Sequence, residues 1–149
     1  MKNSFLLFIF LMPLSLIAQK IDYNDKGGFV AKGYDVVAYF DNAPKAGKSK
    51  YTIKHEGAKY KFSTKTNLVK FKKNPTKYIP QYGGYCAYAM GKDGSKVSIN
   101  PKTYEIIDGK LYLFYNSFGI NTLKKWNKQA PKKLKKQADA YWEEVMNVE

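Results

Sequence analysis

Tyr104-Glu105-Ile106-Ile107-Asp108-Gly109-Lys110-Leu111-Tyr112-Leu113-Phe114-Tyr115 sets the architecture. Two β-branched and aromatic runs flank Asp-Gly, a dipeptide that takes positive φ at both central positions of a two-residue hairpin loop. Apolar residues fill this stretch almost without interruption, which predicts a hairpin at the centre of a sheet. Upstream, Tyr51-Thr52-Ile53-Lys54 and Lys59-Tyr60-Lys61-Phe62 alternate apolar with polar around His55-Glu56-Gly57-Ala58. That pattern predicts a second hairpin with one face on a core and His55 at its turn. Tyr34-Asp35-Val36-Val37-Ala38-Tyr39-Phe40, stopped by Asp41-Asn42-Ala43-Pro44, reads as a buried strand followed by a loop.

Helical segments surround these hairpins. Ser63 or Thr64 is placed to cap a helix carrying Leu68, Val69 and Phe71. Asn74-Pro75 ends it, because the residue before proline avoids the α region, and a short helical turn over residues 76–79 follows. Gly83-Gly84 predicts a tight turn from which a short buried helix opens at Tyr85. Ile120, Leu123 and Trp126 lie three apart, and Pro131 opens a helix bearing Leu134, Ala138, Tyr141, Trp142 and Val145, a stripe expected to bury against the sheet. No internal repeat, low-complexity segment or linker interrupts the chain. The predicted fold class is therefore α+β: a small antiparallel sheet of hairpins packed with short helices and a C-terminal helical pair.

The 149 residues suffice for one domain. Their first eighteen contain Lys2, an apolar run over residues 5–17 broken only by Pro13 and Ser15, and the small residue Ala18 before Gln19. This is the pattern of a secretory signal peptide, with an apolar core shorter than the roughly 20 residues that span a bilayer. The expectation is a signal peptide at 1–18, a single domain at 19–149, a periplasmic or secreted location, and no stable membrane span in the mature protein. All 26 basic residues are lysine, against 12 acids, for a formal charge of +14. Without arginine the chain lacks the bidentate clamps of guanidinium-based nucleic-acid readout, and an exported protein meets no cytoplasmic DNA. Excess lysine matches either an anionic envelope surface or a plainly solvated face.

One cysteine and one histidine exclude an internal disulfide and a four-ligand Cys/His zinc site. Paired carboxylates, a Ser/His/Asp arrangement and a phosphate-binding glycine loop are also missing. Attention falls on Cys86, unpaired in an exported chain. If the helix opens at Tyr85, the thiol sits in its first turn, where unpaired N–H groups favour the thiolate. Its apolar neighbours Tyr85, Ala87, Tyr88 and Ala89 argue the other way, towards a core residue. Met90, four residues on, shares a helical face with Cys86, so the two sulfurs, or Cys86 with His55, form a candidate soft-metal site for Cu(I). Tyr78, Tyr82, Tyr85 and Tyr88 either line an aromatic pocket or pack a small core with hydroxyls at its rim.

Four motifs in order, Gly33-Tyr34-Asp35-Val36-Val37-Ala38-Tyr39-Phe40, Lys59-Tyr60-Lys61-Phe62-Ser63, Asn67-Leu68-Val69-Lys70-Phe71 with Asn74-Pro75-Thr76-Lys77-Tyr78, and Gln81-Tyr82-Gly83-Gly84-Tyr85-Cys86-Ala87, resemble the exported bacterial YHS-domain proteins. The resemblance covers nearly the whole of residues 19–149 and implies a small α+β domain. In the wider YHS family a Phe-Cys-Ser-x-x-Cys-x-x-x-Phe segment is linked with heavy metals. Here that segment runs over residues 62–71, with Ser63 and Asn67 at the cysteine positions, so the family's own metal ligands are gone. Some exported members carry selenocysteine at the position matching Cys86, which implies redox chemistry there. The resulting expectation is a reactive-thiol protein acting through Cys86 with an external oxidant or thiol. The alternatives are a copper-binding module using Cys86 with Met90 or His55, and a structural domain touching an anionic envelope partner.

Overall fold

In the computed structural model, which describes residues 21–25 and 27–147, the two predicted hairpins form at the predicted turns. Strands β1 (Lys48–His55) and β2 (Ala58–Phe62) pair antiparallel across Glu56-Gly57, and β3 (Asn100–Ile107) pairs with β4 (Lys110–Phe114) across Asp108-Gly109. Both loops have positive φ at both residues, +46° and +86° in the first and +51° and +71° in the second, the left-handed conformation that glycine adopts without strain. A third, minimal hairpin of β5 (Asn116–Ser117) and β6 (Ile120–Asn121) turns at Phe118-Gly119. The signal-peptide expectation, residues 1–18, lies outside the described residues. Among the described residues no helix is long and apolar enough to cross a membrane.

The hairpins do not join into one sheet, so the expectation of a β3–β4 hairpin at a sheet centre is corrected: each pair is its own two-stranded ribbon. The long apolar run has a different cause. Strand β4 is buried on both faces, with Leu111 and Leu113 in one core cluster and Tyr112 and Phe114 in a second. Alternation places successive side chains on opposite faces, and both faces here meet packed protein.

A second correction concerns residues 34–40, which form no strand. Tyr34 makes an isolated bridge to Ala46, and a 3-10 turn, Ala38–Asp41, follows. The reason is Asp35, whose carboxylate accepts the backbone N–H groups of Val37 and Ala38 at 3.0 and 3.3 Å and folds the chain back locally. The segment is buried as expected: Val36, Val37, Ala38 and Tyr39 are all in the interior. A continuous apolar run does not by itself distinguish a strand from another buried conformation.

Helix α1 (Lys65–Lys73) is capped by Thr64, whose hydroxyl accepts the Asn67 N–H at 3.1 Å, and α2 (Pro75–Tyr78) follows at the proline. Helix α3 (Ala87–Asp93) starts two residues later than expected, with Cys86 in the N-cap position. Helix α4 (Thr122–Lys128) is capped by Asn121, which accepts the Lys124 N–H at 3.1 Å. Ile120 consequently belongs to β6 and is 44% exposed, not part of the helical stripe. Helix α5 (Pro131–Asn147) buries Leu134 and Ala138, but its main partner is α3 and not a sheet. The close crossing depends on Gly91: a β-carbon there would stand 2.4 Å from the Leu134 carbonyl oxygen. Only Tyr112 and Phe114 of β4 reach the same cluster as the α5 stripe.

Candidate functional site

The segment that carries Cys86 runs beside β4. Gln81 donates its N–H to the Leu111 carbonyl at 2.8 Å, Cys86 bridges in parallel to Leu113, and the Cys86 N–H donates to the Val97 carbonyl at 2.9 Å. These bonds fix the backbone of residue 86 in an extended conformation and direct its side chain toward the short β5–β6 hairpin. There the thiol meets that hairpin's two flanking residues. Sγ accepts the Tyr115 N–H at 3.4 Å and lies 3.3 Å from Thr122 Oγ1. Thr122 Oγ1–H donates to the Tyr115 carbonyl at 2.9 Å, which leaves its lone pair to receive the thiol proton. Thiol, hydroxyl and the backbone N–H and carbonyl of Tyr115 thus close a small ring of hydrogen bonds.

Cys86 is 0% exposed, and it also lines the floor of a surface recess of about 220 Å³. Around the recess stand Tyr88, Lys92, Asp93, Ser95 and Val97, together with Tyr115 and Thr122. Both charge signs are present: Lys92 Nζ lies 3.9 Å from Asp93, and the Ser95 hydroxyl bonds the Asp93 carboxylate and holds it below the usual carboxylate range. A recess of this size and mixed charge admits a small uncharged molecule more readily than a large anion.

The other candidate residues lie elsewhere. Met90 is fully buried in the second cluster, whereas Cys86 belongs to the first, because the N-cap backbone of residue 86 is extended and the helical spacing does not apply to the pair. His55 closes β1, stacks edge-on against Phe71 with ring centroids 5.6 Å apart, and has Glu56 at 3.7 Å; neither polar partner of Cys86 is His55. Among the described residues no group of three His, Cys, Asp or Glu side chains is placed to hold a metal ion. No family model, curated protein or solved structure matches the chain.

Ser63 and Asn67 do converge, but on a carboxylate. Asp35 is 0% exposed, and its Oδ2 accepts the Ser63 N–H at 2.8 Å, the Ser63 hydroxyl at 2.7 Å and the Asn67 Nδ2 at 2.7 Å. With Val37 and Ala38 on Oδ1, five donors surround one buried charge. Such a set compensates the lost hydration without a counter-ion. Asp35 ties the chain around residues 35–38 to the start of α1, and it is fully occupied in doing so.

The tyrosines favour the packing reading over a pocket. Tyr82, Tyr85 and Tyr88 send their hydroxyls to Asp139 at 2.8 Å, Asp22 at 3.2 Å and Gln129 at 2.9 Å. Burial raises Tyr82 and Tyr85 above the ordinary value of 10.0, with their carboxylate partners adding to it, and Tyr85 reaches about 12. Asp35, Tyr115 and Thr122 are the residues the sequence reading missed. An aspartate inside an apolar run is the available signal for the first. Tyr115 and Thr122 lie 29 and 36 residues from Cys86 and leave no local one.

Proposed function

We propose that this chain is an exported YHS-like thiol protein in which Cys86 reacts reversibly with a small peroxide and is restored by external thiols. The observation that carries the reading is the seat of Sγ: one backbone N–H, one hydroxyl and a recess above them. A thiolate formed there keeps the Tyr115 N–H, and the Thr122 hydroxyl rotates to give a second donor. Attack on a peroxide breaks the O–O bond and forms an S–O bond; the leaving hydroxide takes up the proton released by the thiol and departs as water. The sulfenic acid then condenses with one external thiol, losing water, and a second external thiol releases the disulfide and regenerates Cys86. External thiols are required because the chain has a single cysteine.

Burial sets the gate. The cover over Sγ is the base of β5–β6, whose strands are two residues each, an element that opens at far lower cost than the core. The test is mass spectrometry of the folded, reduced protein after peroxide, with a sulfenic-acid trap and Cys86→Ala as the blank. One added oxygen on Cys86, removed by a small thiol, is expected. Oxidation of Cys86 only after the chain is unfolded overturns the proposal and leaves Cys86 a core residue.

A further inference from the structure

Three hairpins in this molecule use the same kind of two-residue loop, and in two of them a polar residue precedes glycine: Glu56-Gly57 and Asp108-Gly109. The third is Phe118-Gly119. Phe118 sits at φ +49°, in the left-handed region that a bulky side chain adopts only with strain, and it is 94% exposed. Neither the turn nor the core accounts for phenylalanine here. The turn favours Asn, Asp or Gly, and the ring touches no core cluster.

Ile120, across the turn, is 44% exposed, so the tip presents two apolar side chains together. Hydrogen bonds orient its base in the closed form: Asn100 Nδ2 donates to the Asn116 carbonyl at 3.1 Å, Asn116 Nδ2 donates to Thr103 Oγ1 at 3.1 Å, and the Thr122 N–H donates to the Tyr115 carbonyl at 2.9 Å. Lys32 lines the recess beside Phe118, and Lys124, Lys125 and Lys128 follow on α4, all exposed. Residues 110–138 carry eight lysines and no carboxylate.

The geometry points to the β5–β6 tip as a docking element for an anionic phospholipid surface, with Phe118 and Ile120 entering the headgroup boundary, Lys32 beside Phe118 meeting lipid phosphates, and the lysines of α4 adding long-range attraction. An aromatic side chain at the interface with cations behind it is the arrangement that holds peripheral proteins on anionic bilayers. This inference is independent of the chemistry proposed for Cys86.

The test uses the full chain with vesicles of phosphatidylglycerol and phosphatidylcholine in equal parts, and with phosphatidylcholine alone. Phe118→Trp places an indole at the tip, and the unsubstituted protein, whose Trp126 is buried and Trp142 partly buried, is the blank. Brominated lipid is expected to quench the added emission on anionic vesicles, less so at high salt. Phe118→Asp is expected to lower partition onto the anionic vesicles about tenfold without altering the fold. Vesicle binding with the indole at position 118 unquenched places the contact elsewhere and overturns the proposal. So does Phe118→Asp binding as tightly as the parent chain, or no binding to anionic vesicles.

Discussion

Asp35 and Cys86 are both 0% exposed, yet their surroundings differ in kind. The carboxylate is enclosed by five donors from two parts of the chain, and no lone pair is left for a ligand to exploit. The thiol has two polar neighbours, both at the base of a two-residue hairpin, and a recess above it. Burial alone therefore does not separate a purely structural group from one that could react, as proposed for Cys86. What separates them is how many partners are engaged and how much structure must move to free the atom.

Base disrupts both sites at once. Burial pushes Tyr23 and Tyr85 up to about 12, and Tyr39, Tyr60 and Tyr82 further in the same direction, from an ordinary value of 10.0. A tyrosine raised in the folded state stabilises the fold fully below pH 10, and that stability is lost as the pH climbs through the folded value. Denaturation followed by circular dichroism and tyrosinate absorbance is expected to show stability insensitive to these tyrosines below pH 10 and cooperative unfolding above it. Reactivity of Cys86 is accordingly read below that limit, where both sites are intact.

Asp35→Ala comes next. It strands the Ser63 and Asn67 donors in the core and is expected to remove at least about 3 kcal/mol, measured as a lower urea midpoint. Ser63→Ala removes one charge-assisted bond and is expected to cost about 2 kcal/mol while leaving the rate of Cys86 modification in the folded protein unchanged. Thr122→Val shows the opposite pattern, costing about 1 kcal/mol or less in stability yet changing the Cys86 modification rate several-fold, because it removes the hydroxyl that faces the sulfur. A Thr122→Val protein whose thiol reacts at the parent rate erases the distinction between the two sites.

Much of the fold was legible because local chemistry specifies it. Glu56-Gly57 and Asp108-Gly109 mark their hairpins, Thr64 caps α1, and Pro75 and Pro131 open α2 and α5. The errors lie where tertiary contacts choose between local options. Residues 34–40 are apolar enough for a strand, but Asp35 bends them by bonding its own neighbours and then recruits Ser63 and Asn67 from 28 and 32 residues away. The two faces of β4 and the crossing of α3 with α5 at Gly91 depend on the assembled core. Cys86 was legible as a candidate, but its partners were not. The expected place in the first helical turn gave way to an N-cap held by β4 and Val97.

The most direct test of the account is the rate of Cys86 alkylation by a small uncharged reagent, measured from zero denaturant up to the unfolding midpoint. Opening of the β5–β6 base alone predicts a labelling rate that stays flat at low denaturant and rises only near the midpoint, well above the rate that global unfolding permits. A rate that follows the globally unfolded fraction from zero denaturant onward would show that the thiol is as enclosed as the Asp35 carboxylate, and would contradict the reactive role.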